Sequence, residues 1–194
     1  MQSLRIILVK DPADGEPTTD IEALATHLKE QGYQLIATVD ADIMLPERVA
    51  QLQPDLIMIE SEAAGRDVLE HVCVSTISAP RPIVLFTDNS DTSNVQRAIA
   101  SGITGYVVDG LQPERVKPVL DVAIARFQLE QSLRQELDET RTQLAERKII
   151  EKAKGILMQN NQLSEEQAYK KMRSLAMDKN LRLIEVAQRV IDFS

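Results

Sequence analysis

Three runs of four consecutive apolar residues decide most of what the first part of this chain can become. Ile6-Ile7-Leu8-Val9, Leu56-Ile57-Met58-Ile59 and Ile83-Val84-Leu85-Phe86 are short and bounded by polar or turn-forming residues. As extended strands they are apolar on both faces, so each has to be covered from both sides. Amphipathic stretches lie between them. Thr19 and Asp20 precede Ile21, Leu24, Ala25 and Leu28 at helical spacing, and Gly32 stops that helix. Ile43 to Leu52, with Pro46 near its start, gives a short helix, and Val68, Leu69 and Val72 lie on another. Asp91 caps a helix containing Val95, Ala98 and Ile99, which ends at Gly102. With strands also at Leu4–Val9, Gln34–Val39 and Gly105–Val108, residues 1–118 spell five βα units. The fold class expected is α/β, a five-stranded doubly wound parallel sheet.

After Pro118 neither glycine nor proline occurs until Gly155. That is helix-compatible sequence of roughly 54 Å if continuous. Leu133, Leu137 and Leu144 form a short heptad seam, with Thr140 between them, that fades at Arg147 and Glu151. Residues 119–146 are therefore expected to be a coiled-coil linker that makes a homodimer. Residues 147–194 read as three helices. The first places Ile149, Ile150, Ala153, Ile156 and Leu157 on one face, with Arg147, Lys148, Glu151, Lys152 and Lys154 opposite. The second opens with the capping box Ser164–Gln167, buries Ala168, Tyr169, Met172, Leu175 and Ala176, and exposes Lys170, Lys171 and Arg173. The third carries Leu183, Ile184, Val186, Ala187, Val190 and Ile191. Gly155 interrupts the first helix on its basic face, where glycine costs about 1 kcal/mol relative to alanine. Either a close helix crossing or the approach of another backbone accounts for it.

Net charge sharpens the division. The whole chain is at −8, but residues 1–118 carry 9 basic and 18 acidic side chains, whereas residues 147–194 carry 10 basic and 6 acidic ones. A basic tail on an acidic body is a local footprint for a polyanion. No apolar run exceeds four residues, far from the ~20 of a membrane helix, and the amino terminus lacks the apolar stretch of a secretory signal. The single cysteine, Cys73, forms no internal disulfide, and no Cys/His cluster has metal-ligand spacing. A cytoplasmic, metal-free and cofactor-free protein is expected. No catalytic histidine pair, activated nucleophile or glycine-rich phosphate loop points to an enzyme.

Working groups of a doubly wound sheet sit at the carboxyl ends of its strands. Those ends carry Lys10 and Asp11, Glu60, Thr87 and Asp109. Together with Pro54-Asp55-Leu56-Ile57-Met58-Ile59-Glu60, they make residues 4–118 resemble a response-regulator receiver domain. The resemblance implies a phospho-accepting aspartate after the third strand, two acids for Mg²⁺ after the first, a Ser/Thr after the fourth and a lysine after the fifth. Only Asp11 and Thr87 match. Glu60 stands at the acceptor position, Lys10 at one metal acid and Asp109 at the lysine, so a pseudo-receiver is expected. Lys10 is expected to pair with Glu60 or with Asp109.

The tail, from Ala145-Glu146-Arg147-Lys148 through Ala153-Lys154-Gly155-Ile156-Leu157-Met158, Glu166-Gln167-Ala168-Tyr169 and Ser174-Leu175-Ala176-Met177 to Val186-Ala187, resembles the ANTAR domain. Nearly the whole chain is similar to nitrate-responsive NasT-type regulators and, more distantly, to AmiR-type ones. That resemblance implies an RNA-binding transcription antiterminator. It implies binding to tandem leader mRNA hairpins that prevents a terminator hairpin, and a nitrate- or nitrite-sensing partner protein that sequesters the regulator. Arg147, Lys148, Lys152, Lys154, Gly155, Lys170, Lys171 and Arg173 are the candidate RNA contacts. Two other readings stand beside it, a DNA-binding response regulator and an interaction-only adaptor.

Overall fold

The computed structural model describes residues 3–12, 14, 20–62, 66–77, 79–108 and 110–193. The chain divides into two compact units, Met1–Glu130 and Gln131–Ser194, so the stretch expected as a linker contributes to both.

In the first unit β1 (Leu4–Lys10), β2 (Tyr33–Asp40), β3 (Leu56–Glu60), β4 (Ile83–Thr87) and β5 (Gly105–Val108) form one sheet in the order β2-β1-β3-β4-β5. Every neighbouring pair is parallel. The doubly wound sheet is as expected. Ile7, Val9, Ile57, Ile59 and Leu85 face one core, with Val49 of α2 (Leu45–Leu52), Val72 of α3 (Arg66–Ser75) and Ala98 of α4 (Thr92–Ala100). Ile6, Leu8, Met58, Val84 and Phe86 face the other, with Leu24 and Leu28 of α1 (Ile21–Glu30) and Val116 and Leu120 of α5 (Pro113–Asn161). Successive strand residues point to opposite faces, so a strand between two cores is apolar at every position. Each fully buried Ile or Leu contributes about 1.5–3 kcal/mol.

Helix starts follow local chemistry. Asp20 caps α1 by accepting from the backbone N–H groups of Glu22 and Ala23 at 3.0 and 3.2 Å; Thr19 lies outside the described residues. Asp91 caps α4 through the N–H of Ser93 at 2.9 Å. The helix expected from Ile43 begins at Leu45, and Ile43 is left 82% exposed.

Helix α5 begins at Pro113 and contains Pro118, earlier than the sequence suggested. Proline at the first helical position is preorganised for a helix. Pro118 removes one hydrogen bond, but Val116, Leu120 and Ala123 are at most 2% exposed against the sheet, and that burial outweighs the lost bond. Tyr33 ties the same segment down: its hydroxyl is hydrogen-bonded to Asp121, and the Lys117 ammonium sits 5.5 Å from its ring centroid.

The second unit contains the carboxy-terminal part of α5, α6 (Glu165–Lys179) and α7 (Leu183–Asp192). The first of the three expected helices is the end of α5. Ala153, Met172, Ala176, Val186 and Ala187 close the core, with Ile149, Ile150, Leu157, Leu181, Leu183, Val190 and Ile191 packed around it. The capping box forms as expected: the Gln167 N–H donates to Ser164 Oγ at 3.3 Å and the Ser164 N–H to Gln167 Oε1 at 2.9 Å. Two residues expected to be buried on α6 are exposed. Tyr169 is 42% and Leu175 40% exposed, because they flank the stripe formed by Ala168, Met172 and Ala176.

Candidate functional site

At the strand ends of the first unit, polar groups turn inward to the protein itself. Lys10 and Glu60 are register partners in the β1–β3 pair and both are partly buried. The pairing expected between them is not formed: among the described residues no ion pair within 4 Å joins them. Ser61, 1% exposed, donates its hydroxyl to Asp11 Oδ2 at 3.2 Å. Thr87, 2% exposed, donates to the Glu62 carbonyl at 3.0 Å and accepts the Asn89 N–H at 3.1 Å. Asp109, and with it the alternative pairing to Lys10, lies outside the described residues. Ser61 was missed by the sequence reading; its position directly after the strand-end acid was the available signal.

This donor set does not fit Mg²⁺. The ion takes near-octahedral oxygen ligands, while Lys10 brings an ammonium beside Asp11, and like charge raises the cost of binding a cation. Among the described residues no group of three or more His, Cys, Asp or Glu side chains is placed to hold a metal.

Cations of the second unit turn outward. Arg147, Lys148 and Lys152 on α5 and Lys170, Lys171 and Arg173 on α6 are all exposed, and among the described residues none is in an ion pair. Lys154 is the exception and corrects the expectation. It is 8% exposed, with Nζ 2.8 Å from Glu151 Oε1 and 2.7 Å from Glu165 Oε1. It lies about 100° around the helix from buried Ala153, at the flank of the apolar stripe, where the first residue of α6 reaches it. Hydrogen bonds to Glu151 and then Glu165 push the Lys154 ammonium above its ordinary pKa. The same contact holds the Glu165 carboxyl below the usual range. Lys154 staples α5 to α6; it is not a free cation.

Gly155 lies on the outward face, close in azimuth to Lys148. A Cβ built there would have nothing within 4 Å, so no helix of the second unit crosses it. Further back on α5 the expected seam is exposed: Leu133 56%, Leu137 50% and Leu144 54%. Leu129, 62% exposed and four residues before Leu133, extends it and was missed; its i−4 spacing was the signal.

The first unit resembles solved receiver domains. One is the signal receiver domain of a diguanylate cyclase from Desulfovibrio desulfuricans G20, at 20% identity and a TM-score of 0.51, covering 66% of this chain and 98% of that one. Another is a receiver domain protein from Methanospirillum hungatei JF-1, at 16% identity and a TM-score of 0.52, covering 66% and 99%. At such identities the likeness shows the fold. Residues 138–191 match the family model of the ANTAR domain, and Transcriptional regulatory protein PdtaR of Mycobacterium tuberculosis is 29% identical over 87% of this chain and 82% of its own length. The tail thus carries an ANTAR domain, and the first unit has the receiver fold. A Nitrate regulatory protein of Klebsiella oxytoca is 44% identical over 61 residues, 31% of this chain but only 15% of that protein. The proteins this chain is similar to are regulatory ones, and no described helix is long and apolar enough to cross a membrane.

Proposed function

We propose that this ANTAR regulator is a cytoplasmic, RNA-binding transcription antiterminator that holds tandem leader mRNA hairpins and so prevents a terminator hairpin from forming. The observation that carries the reading is the set of six exposed cations at Arg147, Lys148, Lys152, Lys170, Lys171 and Arg173, uncommitted to ion pairs among the described residues, in a chain whose net charge is −8. A polyanion releases its condensed counterions on such a surface, which is the main source of affinity in protein–nucleic acid binding. Gly155 lies among these cations with open space before it, suited to a phosphate backbone.

The two hairpins of a tandem site call for two copies of the tail. We infer a homodimer joined through Leu129, Leu133, Leu137 and Leu144. The partly committed strand ends of the first unit support a receiver that is read by a partner protein rather than by phosphoryl transfer. Similarity to the Klebsiella protein, named a nitrate regulatory protein, supports nitrate or nitrite assimilation genes as targets and a nitrate- or nitrite-sensing protein as the sequestering partner.

Binding of a two-hairpin leader RNA and of duplex DNA of equal length should be compared for the full chain and for Lys152→Glu/Lys171→Glu. We expect preference for the RNA, steep weakening with salt, and a loss of roughly tenfold or more in the double variant. Preference for the duplex would favour a DNA-binding regulator. Absence of binding to either at any salt would favour an adaptor, and equal affinity of the two proteins would reduce the cations to solvated surface.

A further inference from the structure

The three tyrosines of this chain are used differently. The Tyr33 hydroxyl is bound to Asp121 and its ring lies under Lys117. The Tyr106 hydroxyl donates to the Asn89 carbonyl at 2.9 Å. Tyr169 is 42% exposed, stands outside the apolar cluster of the second unit, and among the described residues its hydroxyl has no hydrogen-bond partner.

Its neighbours on α6 are cationic. Tyr169, Arg173 and Met177 follow at i, i+4 and i+8, which places them roughly one above another on one side of the helix. Lys170 lies next to that strip, and all four are exposed, Met177 to 75%. Glu165 and Glu166 are the acids one turn before Tyr169; Glu165 is held by Lys154 at 2.7 Å, which leaves Glu166 against the two positive charges of Arg173 and Lys170. An open ring flanked by cations suits a base with a phosphate on either side. Every base has a π-face, and such stacking is available only when the base is unpaired. A protein partner would be served by the ring and Met177 but would leave Arg173 and Lys170 without a role.

We propose that Tyr169 is a stacking platform for one unpaired base of the bound RNA, with Arg173 and Lys170 holding the flanking phosphates. This rests on the RNA-binding reading above and names where on the protein a hairpin loop, rather than a stem, is held.

The full chain should first be used to select binders from two-hairpin RNAs with fixed stems and randomised loops. The selected RNA is then remade with 2-aminopurine at each loop purine in turn. With the unaltered protein and with Tyr169→Phe, one loop position should lose fluorescence on binding, as stacking quenches it. Tyr169→Leu keeps an apolar side chain but has no π-face. It should abolish that quenching and weaken binding roughly 5- to 150-fold, the range expected for one base–aromatic stack. A Tyr169→Leu chain that binds and quenches like the unaltered protein would overturn the platform while leaving RNA binding intact. Failure to select any binder would remove the RNA reading and the platform with it. Should Tyr169→Leu lower the melting temperature, Arg173→Gln carries the test. It should weaken binding and lower the salt slope by about 0.7, the value for one contact to a single strand; an unchanged slope would count against the proposal.

Discussion

The two units of this chain handle polar groups in opposite ways. In the first, the residues at the strand ends are spent on the protein itself: Ser61 on Asp11, and Thr87 on the backbone of Glu62 and Asn89. In the second, of the seven cations expected to contact RNA, Lys154 is spent internally and six remain outward. A doubly wound sheet ordinarily works at its strand ends. Here the cluster of outward cations lies on helix surfaces instead. The difference teaches that burial, not residue type, decides which of these charges can act: Lys152 and Lys154 are two residues apart on one helix and have opposite fates.

The strongest break of this contrast is the proposed dimer seam, because two copies would bring two outward surfaces to one RNA. Leu137→Lys/Leu144→Lys places two ammonium groups in an apolar seam. Light scattering should then report a monomer where the unaltered chain is expected to be a dimer, and two-hairpin RNA should bind no more tightly than a single hairpin. A monomer in the unaltered chain, with and without RNA, would remove the seam.

Lys152→Gln and Lys154→Gln separate the outward cation from the stapled one. Lys152→Gln should lower the salt slope of RNA binding by about 0.7–0.9 and leave the melting temperature unchanged. Lys154→Gln should lower the melting temperature of the second unit with little change in slope. The staple also has a pH signature. Glu165 is held below its ordinary pKa, so its contribution is present above the unfolded carboxylate pKa and disappears as pH falls through the folded one. Lys154 is held above its ordinary pKa, so its contribution is complete below the unfolded ammonium pKa and disappears as pH rises through the folded one. The melting temperature should therefore fall at both ends of the pH range, and Lys154→Gln should flatten both limbs.

Sequence alone resolved the sheet because strands between two cores are apolar throughout, a pattern that Ile6–Val9 and Leu56–Ile59 show without ambiguity. The core alanines were legible too: Ala153, Ala168 and Ala187 are fully buried and Ala176 nearly so. Residues at the edge of an amphipathic stripe were not. Helical spacing points Tyr169 and Leu175 inward, yet they stand half out, and it points Lys154 outward although Glu165, from another helix, captures it. Such edge positions depend on the crossing of neighbouring helices, which periodicity along one helix does not encode. Pro118 misled for a related reason, since the burial of Val116 and Leu120 that overrides it is a tertiary effect. Gly155 was left open between two uses, and the empty space at its Cβ excludes a crossing within its own unit.

Gly155→Ala turns that last finding into a paired measurement. The added methyl meets nothing within 4 Å and should stabilise the helix by about 1 kcal/mol. If RNA backbone approaches there, affinity should fall while the melting temperature rises. Affinity rising with stability would mean that the glycine has no role at the outward surface.

The smallest effect expected is none at all, and it tests the other half of the comparison. A transferred phosphoryl group needs an acceptor, a metal to neutralise its oxygens and a cation beside it. Glu60 is one methylene longer than the aspartate of a receiver, Lys10 stands where a second metal acid would, and the Thr87 hydroxyl is already donated to the Glu62 carbonyl. Incubation with acetyl phosphate and Mg²⁺ should therefore leave the intact mass unchanged. A stable gain of one phosphoryl group, absent in Glu60→Gln, would show that the strand ends still carry chemistry despite their inward commitments. The first unit would then be a working receiver controlling the second, and the contrast between spent and unspent charges would no longer explain where this regulator acts.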